Sequence, residues 1–179
     1  MAVPAFVISL LAFGFAVLSF WWMHWRTGSL RVVEPRTYQG YASATAKMIL
    51  AIPFVFFNDG PTPILVNNLR LRFLHEPGAE ALTWQATLEQ LNYDEEKRRR
   101  SYATPFAVEG RQALLKICEF QREPAGWEFE AKEYRIAMDA SIGVPAKWKQ
   151  LVLFPLAVTK ESAQTLNKQF LVRSNPVGK

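Results

Sequence analysis

Hydrophobic positions in this chain form one long unbroken run, followed by a series of shorter and partly alternating ones. The long run covers Met1 to Met23 and contains no Asp, Glu, Lys, Arg or His. A helix needs about 20 apolar residues to cross the hydrocarbon core of a bilayer, so this run is long enough for one crossing. We therefore predict a transmembrane helix over residues 1–25 and a short joint over residues 26–29.

The end of the apolar run carries the signature of a membrane interface. Indole rings favour the headgroup layer, and arginine marks the first position outside it. The predicted interface residues are Trp21, Trp22, Trp25 and Arg26. A signal peptide would show a basic start, a shorter apolar region and a small-x-small cleavage site. The sequence therefore favours a retained anchor over a cleaved leader, and over a buried helix, which seldom lacks any charge at this length.

Beyond the joint, the hydrophobic pattern becomes that of strands. Residues 47–57 and 148–158 are nearly continuous in apolar side chains, which indicates strands covered on both faces. Residues 64–74 and 82–88 contain apolar–polar alternation, the period of a strand with one face on the core. Turn-forming clusters such as residues 58–63 separate the strands.

The spacing of these elements predicts the fold class. About seven to nine short strands with no amphipathic helix between them indicate an all-β antiparallel sandwich or barrel. We predict an immunoglobulin-like antiparallel β-sandwich over residues 30–173, preceded by the one transmembrane helix and followed by a flexible tail over residues 174–179. A sandwich is favoured because two facing sheets would bury the rings around Phe54 and Phe154.

Some positions inside this domain carry individual predictions. The polar segment from Thr159 to Asn167 is predicted to be a loop. Three tryptophans fall at positions predicted to lie in the core: Trp84, Trp127 and Trp148.

The strand and turn over residues 56–63 (FFNDGPTP) are followed by LRLRF at residues 69–73. Together with the preceding short anchor, this order resembles a group of small, uncharacterised bacterial membrane-anchored proteins. The likeness covers about the first half of the chain beyond the anchor. It implies an immunoglobulin-like β-sandwich domain and brings no catalytic residues with it.

Composition and charge mainly exclude particular partners and bonds. The chain has 21 Lys and Arg against 16 Asp and Glu, a formal net charge of +5, and the basic residues are spread along it. A nucleic-acid-binding face needs denser clustering, so we expect no nucleic-acid partner. The one cysteine, Cys118, excludes an intrachain disulfide. Its apolar surroundings predict a buried thiol. The alternative is a reactive thiol, but no histidine neighbours Cys118 to activate it.

The sequence offers little catalytic chemistry. The only histidines are His24, at the predicted membrane boundary, and His75, in a turn. A metal site of the usual type needs three or four imidazole, thiolate or carboxylate ligands close together. Nucleophile-elbow, dinucleotide and phosphate-loop motifs are absent from the sequence. We therefore predict no enzyme, no cofactor and no metal site, with an enzyme kept as the third alternative.

Two groups of basic residues are candidates for a partner or lipid-headgroup contact. The first follows three acidic residues in the densest charge run and comprises Lys97, Arg98, Arg99 and Arg100. The second is the strand pair Arg70 and Arg72. For both groups the simpler interpretation is a solvated surface, and the functional one is recognition of a headgroup or a protein.

These features predict a single-pass protein of the bacterial inner membrane that contacts the bilayer through residues 1–25. Arg26, Arg31 and Arg36 follow the span and no basic residue precedes it, which favours a cytoplasmic domain; a periplasmic domain is the alternative. The predicted role is a non-catalytic interaction, accessory or scaffold module with a membrane-associated protein partner. The alternative is a sandwich that binds lipid or a small apolar ligand between its sheets.

Overall fold

The structure is a computed structural model that describes residues 2–43, 47–76, 80–91, 99–123 and 127–175. A long N-terminal helix precedes a domain made almost wholly of strands. The elements are α1 (Ala2–His24), β1 (Leu30–Val32), β2 (Thr37–Ala42), β3 (Met48–Asn58), β4 (Ile64–Leu74), β5 (Leu82–Leu88), β6 (Arg100–Tyr102), β7 (Phe106–Val108), β8 (Ala113–Arg122), β9 (Glu133–Ile142), β10 (Lys147–Ala157), α2 (Lys160–Leu166) and β11 (Leu171–Ser174). We refer to everything beyond residue 29 as the β domain.

The described strands form one 11-stranded sheet. Its main path is β10-β9-β4-β5-β8-β3-β2-β11, with β1 on β3, β6 on β5 and β7 on β4. Every pairing is antiparallel, and the sheet curls into a half-barrel. The predicted β-rich domain behind one apolar helix is confirmed. The finer division into the two facing sheets of an immunoglobulin-like sandwich is not confirmed, because the hydrogen-bonded path is continuous.

Phenylalanine rings from opposite parts of the curled sheet meet in its interior. The ring of Phe54 on β3 lies 5.9 Å from that of Phe154 on β10 and 6.3 Å from that of Phe120 on β8. All three side chains are buried. Burial of one such side chain stabilises a fold by about 1.5–3 kcal/mol, so these three rings contribute to the stability of the curled sheet.

The prolines inside strands lie where a missing N–H is tolerated. On one edge of β3, β2 pairs with residues 48–51 and β1 pairs with residues 56–58. Pro53 falls in the gap between those two partners. Pro155 lies on β10, which ends the main path of the sheet. Proline is confined to such edges and gaps because it cannot donate to a strand ladder.

The predicted loop over Thr159–Asn167 is wrong, because most of this segment forms helix α2. Thr159 caps the helix by accepting a hydrogen bond from the Ser162 amide, and the Ser162 hydroxyl accepts one from the Thr159 amide. This reciprocal cap satisfies otherwise unpaired N–H groups. Ala163 and Leu166 are buried, so one face of α2 packs on the β domain. The segment is too short for its apolar spacing to show in the sequence.

One side chain bridges the two ends of the sheet path. The Asn175 amide group donates to the carbonyls of Pro35 (3.1 Å) and Pro155 (2.8 Å), and its oxygen accepts from the Ala157 N–H at 3.3 Å. Asn175 is therefore part of the domain, and β11 runs to Ser174. The predicted tail began at residue 174; residues 176–179 lie outside the described part of the chain.

The three tryptophans predicted in the core have different environments. Trp84 is buried, and its indole N–H donates to the Ala86 carbonyl at 2.8 Å. Trp127 is partly buried and packs against Tyr134, with ring centres 5.6 Å apart. The prediction for Trp148 is wrong, because 46% of it is exposed. It lies near the start of β10, where the Arg70 guanidinium covers its ring at 4.3 Å.

Candidate membrane-proximal site

Helix α1 has the dimensions of a membrane span. Residues Pro4–His24 are long and apolar enough to cross a bilayer, and none of this stretch is buried against the β domain. Trp21, Trp22 and Trp25 are exposed at its C-terminal end. The Arg26 guanidinium stacks 4.4 Å above the Trp22 ring. The structure therefore brings the predicted interface residues together at one end of the helix.

The joint after α1 is held against the β3–β4 turn by Asp59. The Asp59 carboxylate accepts from the Ser29 amide at 2.6 Å and from the Ser29 hydroxyl at 2.9 Å. The Asp59 backbone carbonyl accepts from Arg26 at 3.0 Å, and Arg31 lies 3.4 Å from the carboxylate. We call these four residues the joint clamp. The hydrogen bonds from Ser29, helped by the charges of Arg31 and Arg26, hold the pKa of Asp59 below its usual value.

Glycine makes the close approach of joint and turn possible. A Cβ atom on Gly28 would overlap the backbone of Gly60, and one on Gly60 would overlap Gly28. Gly110, in the β7–β8 turn, packs just as closely on the Pro61 carbonyl. In that same turn, Arg111 donates to the Met23 carbonyl of α1 at 3.2 Å. Backbone and side chains of two turns thus fix the end of α1 to the β domain.

A cleft of about 470 Å³ opens beside this joint. The joint, the start of β4, the β9–β10 turn and the start of β10 form its walls. Its apolar lining comes from Leu30, Pro63, Ile64, Leu65, Ile142 and Val144. Lys147 and Lys149 supply its charge, and none of the described Asp or Glu residues lines it. We call it the juxtamembrane cleft, after the membrane crossing that the sequence predicts for α1.

The two cleft lysines are exposed, and neither side chain has an ion-pair or hydrogen-bond partner among residues 2–43, 47–76, 80–91, 99–123 and 127–175. Neither lysine was among the binding residues predicted from the sequence. The available signal was the alternation Lys147-Trp148-Lys149 at the start of an apolar strand, which places both lysines on one face. Nothing in the sequence shows that this face borders the joint.

The basic pair Arg70 and Arg72 lies elsewhere, on the wall formed by β4 and β9. Both guanidinium groups donate to the Asp139 carboxylate, at 2.9 Å from Arg70 and 2.7 Å from Arg72. The Asp139 side chain is only 3% exposed. Burial alone would raise its pKa, but the bonds and charges of Arg72 and Arg70 together outweigh that effect and lower it. These arginines compensate a buried carboxylate and do not form a free basic stripe.

The members of the other basic group have different surroundings. Lys97 and Arg98 lie outside the described residues. Arg99 is exposed and lies 3.6 Å from Glu89. Arg100 forms an ion pair with the buried carboxylate of Glu119 on β8, which also accepts from Gln121. Arg100 therefore stabilises the sheet. Of the two residues in this group that the structure describes, Arg99 is the one whose charge faces solvent.

The chemistry of the described side chains is modest. Cys118 is buried, as predicted, and burial raises the pKa of its thiol to about 12. A thiol with that pKa is almost wholly protonated at neutral pH, and the thiolate is the nucleophile. Within the ranges the structure describes, no three His, Cys, Asp or Glu side chains are placed to hold a metal ion.

Comparison with known proteins finds a distant structural likeness. No protein-family model matches the chain, and no curated protein matches it. A crystal structure of a protein from Archaeoglobus fulgidus is similar at 12% sequence identity, over 74% of this chain and 95% of that one, with a TM-score of 0.39. A likeness this low carries no conclusion about function.

Proposed function

We propose that this chain is a single-pass protein of the bacterial inner membrane, with a β domain that acts as a non-catalytic accessory or scaffold module at the membrane surface. The observation that supports this most is the joint clamp. Ser29, Arg26 and Arg31 all contact Asp59, so the β domain begins directly at the end of α1. A flexible Gly/Ser linker would instead let the domain sample many orientations.

Rigid attachment fits a module that presents fixed surfaces. In the proposed arrangement, the turns at residues 58–63, 109–112 and 143–146 lie near the bilayer and α2 lies at the far end. The protein partner would then meet a domain held at constant height and orientation. Loops on a rigid β scaffold are common carriers of recognition. Strands β4 and β5 pair at two positions, Arg70↔Thr83 and Leu71↔Leu82. This narrow connection supports the immunoglobulin-like sandwich as the finer description, because the two parts of the sheet on either side of it face each other.

The anchoring is tested by alkaline carbonate extraction of cell membranes containing the full-length protein. We expect the protein to stay in the membrane pellet at its full mass. The matched control is Leu10→Arg with Leu11→Arg, which puts charge near the centre of the span at a cost of about 2.5–3.5 kcal/mol each. Release of the unaltered protein, or loss of its first two dozen residues, would contradict the proposal.

Sidedness is proposed to be cytoplasmic, because Arg26, Arg31 and Arg36 follow the span. Protease added to spheroplasts tests it. A protected β domain supports the cytoplasmic orientation, and a digested one requires the periplasmic alternative.

A second candidate function is lipid or small apolar ligand binding. The juxtamembrane cleft supports it, because about 470 Å³ exceeds the ~300 Å³ at which small-molecule sites begin. The cleft lies beside the joint, whereas the cavity predicted from the sequence lies between two sheets.

A further inference from the structure

We propose that the juxtamembrane cleft binds one anionic phospholipid from the leaflet that faces the β domain. Lys147 and Lys149 hold the headgroup phosphate, and the apolar wall holds the first part of an acyl chain. The inference rests on the proposed membrane anchoring of α1. It deepens the second candidate function by naming the ligand class and the residues that recognise it.

Position is the first argument. Helix α1 ends at His24, and Thr27, three residues later, already lines the cleft. Three residues span at most about 11 Å of extended chain, so the cleft opens at the level of the lipid headgroups if α1 crosses the bilayer. The joint clamp and the Gly28–Gly60 contact keep it there.

Charge is the second argument. Lys147 and Lys149 line the cleft. Within the described ranges, no carboxylate lines it and neither ammonium group has a partner. Arg70 and Arg72 differ, because Asp139 neutralises them. A cleft with two free cations and no anion excludes cationic ligands and favours a phosphate, which an ammonium group binds as a point charge.

The apolar lining is the third argument, and it separates a lipid from a free phosphate. Leu65 and Val144 are exposed hydrophobic residues that line the cleft, and Val144 is 87% exposed. An inorganic phosphate would make no use of them. An acyl chain would cover both side chains and continue into the bilayer, which explains why water-exposed aliphatic residues lie beside unpaired lysines.

The test uses the full-length protein in mild detergent, with bound lipid counted by native mass spectrometry. Dioleoyl phosphatidylglycerol and dioleoyl phosphatidylcholine are titrated separately. We expect one tightly bound phosphatidylglycerol and weaker phosphatidylcholine. Each lysine near an anionic headgroup contributes enough that Lys147→Gln with Lys149→Gln should weaken phosphatidylglycerol about thirtyfold. The matched control, Lys160→Gln with Lys168→Gln, removes the same charge near α2 and should change the affinity less than twofold.

Two further arms identify the source of the phosphate. Leu65→Ser with Val144→Ser should weaken phosphatidylglycerol while leaving the weak binding of glycerol phosphate unchanged. Equal affinity for the two lipids, equal loss in both lysine variants, or competition by glycerol phosphate at lipid-like concentrations would each overturn the inference. Carbonate extraction of the same variants separates the two proposals. Failure of lipid binding in a protein that stays in the membrane defeats only the lipid site, whereas release from the membrane defeats the anchoring.

Discussion

Two pairs of basic residues in this chain have the same spacing and opposite surroundings. Arg70 and Arg72 alternate along β4, and Lys147 and Lys149 alternate along β10. The arginines share the buried carboxylate of Asp139, while the lysines line a cleft to which no described residue contributes a carboxylate. Spacing of two therefore shows only that side chains share a face. The neighbouring strand decides whether that face holds the sheet together or is available to a ligand.

The largest expected effect comes from removing both arginines. Arg70→Gln with Arg72→Gln leaves the Asp139 carboxylate buried without a cation, which typically costs about 3–5 kcal/mol; we expect about 3, since both guanidinium groups are partly exposed. The measurement is guanidinium denaturation of the full-length protein in detergent, followed by tryptophan fluorescence.

The lysine pair is the control for that experiment. Lys147→Gln with Lys149→Gln should change the free energy of unfolding by less than about 0.5 kcal/mol, because neither side chain has a partner to lose within the described ranges. Similar destabilisation by the two double variants would remove the distinction between a structural and a free basic pair.

A smaller effect is expected at the joint. Gly60→Val forces side-chain atoms into the backbone of Gly28, and overpacking of this kind typically costs about 1–3 kcal/mol. We expect faster tryptic cleavage after Arg26 and Arg31 as the joint loosens. The control is Gly14→Ala in α1, where nothing lies within 4 Å of the added atom. Unchanged cleavage in the Gly60 variant would mean that the cleft wall is not fixed by this contact.

Acid should loosen the joint by protonating the Asp59 carboxylate. Its folded-state pKa is below the unfolded value of about 3.9, so the clamp is complete above that pH and is lost as pH falls through the lowered folded value. Amide exchange of residues 27–31, corrected for intrinsic rates, measures this loss. Arg31→Gln should move it to higher pH, because one charge that lowers the pKa of Asp59 is gone. An unchanged profile in that variant would remove Arg31 from the clamp.

The smallest effect is expected at Cys118. Its thiol is buried and its pKa is raised to about 12, so the native protein should react negligibly with iodoacetamide at pH 8. Protein unfolded in guanidinium should react at the ordinary thiol rate, and intact mass reports both. Rapid labelling of the native protein would instead support a reactive Cys118 thiol, the alternative prediction from the sequence.

Periodicity in the sequence predicted the parts of the fold that depend on local pattern. The apolar run of α1 and the strands around Phe54, Leu71 and Phe154 were all visible in it. It missed α2, whose buried face consists mainly of Ala163 and Leu166, too few positions to give a period.

The candidate site depended on long-range contacts that a sequence does not display. Asp59 meets Ser29 across 30 positions, and Asp139 meets Arg70 across 69. From sequence alone, Arg70, Arg72 and Arg100 were candidates for binding, yet each is paired with a buried carboxylate. Lys147 and Lys149 were not among the candidates. A charged residue becomes a candidate for binding only once its neighbours in space are known.

The bridge made by Asn175 has a practical consequence for anyone shortening this chain. Its amide group bonds to Pro155 and Ala157 of β10 and to the Pro35 carbonyl between β1 and β2, and Asn175 itself directly follows β11. A truncation that stops at Ser174 would remove these hydrogen bonds and leave the outer edge of β10 uncovered at that point. Uncovered strand edges can pair with strands from other copies of the same protein. An affinity tag should therefore be attached after residue 175. Aggregation of a shortened form would reflect the loss of the Asn175 hydrogen bonds.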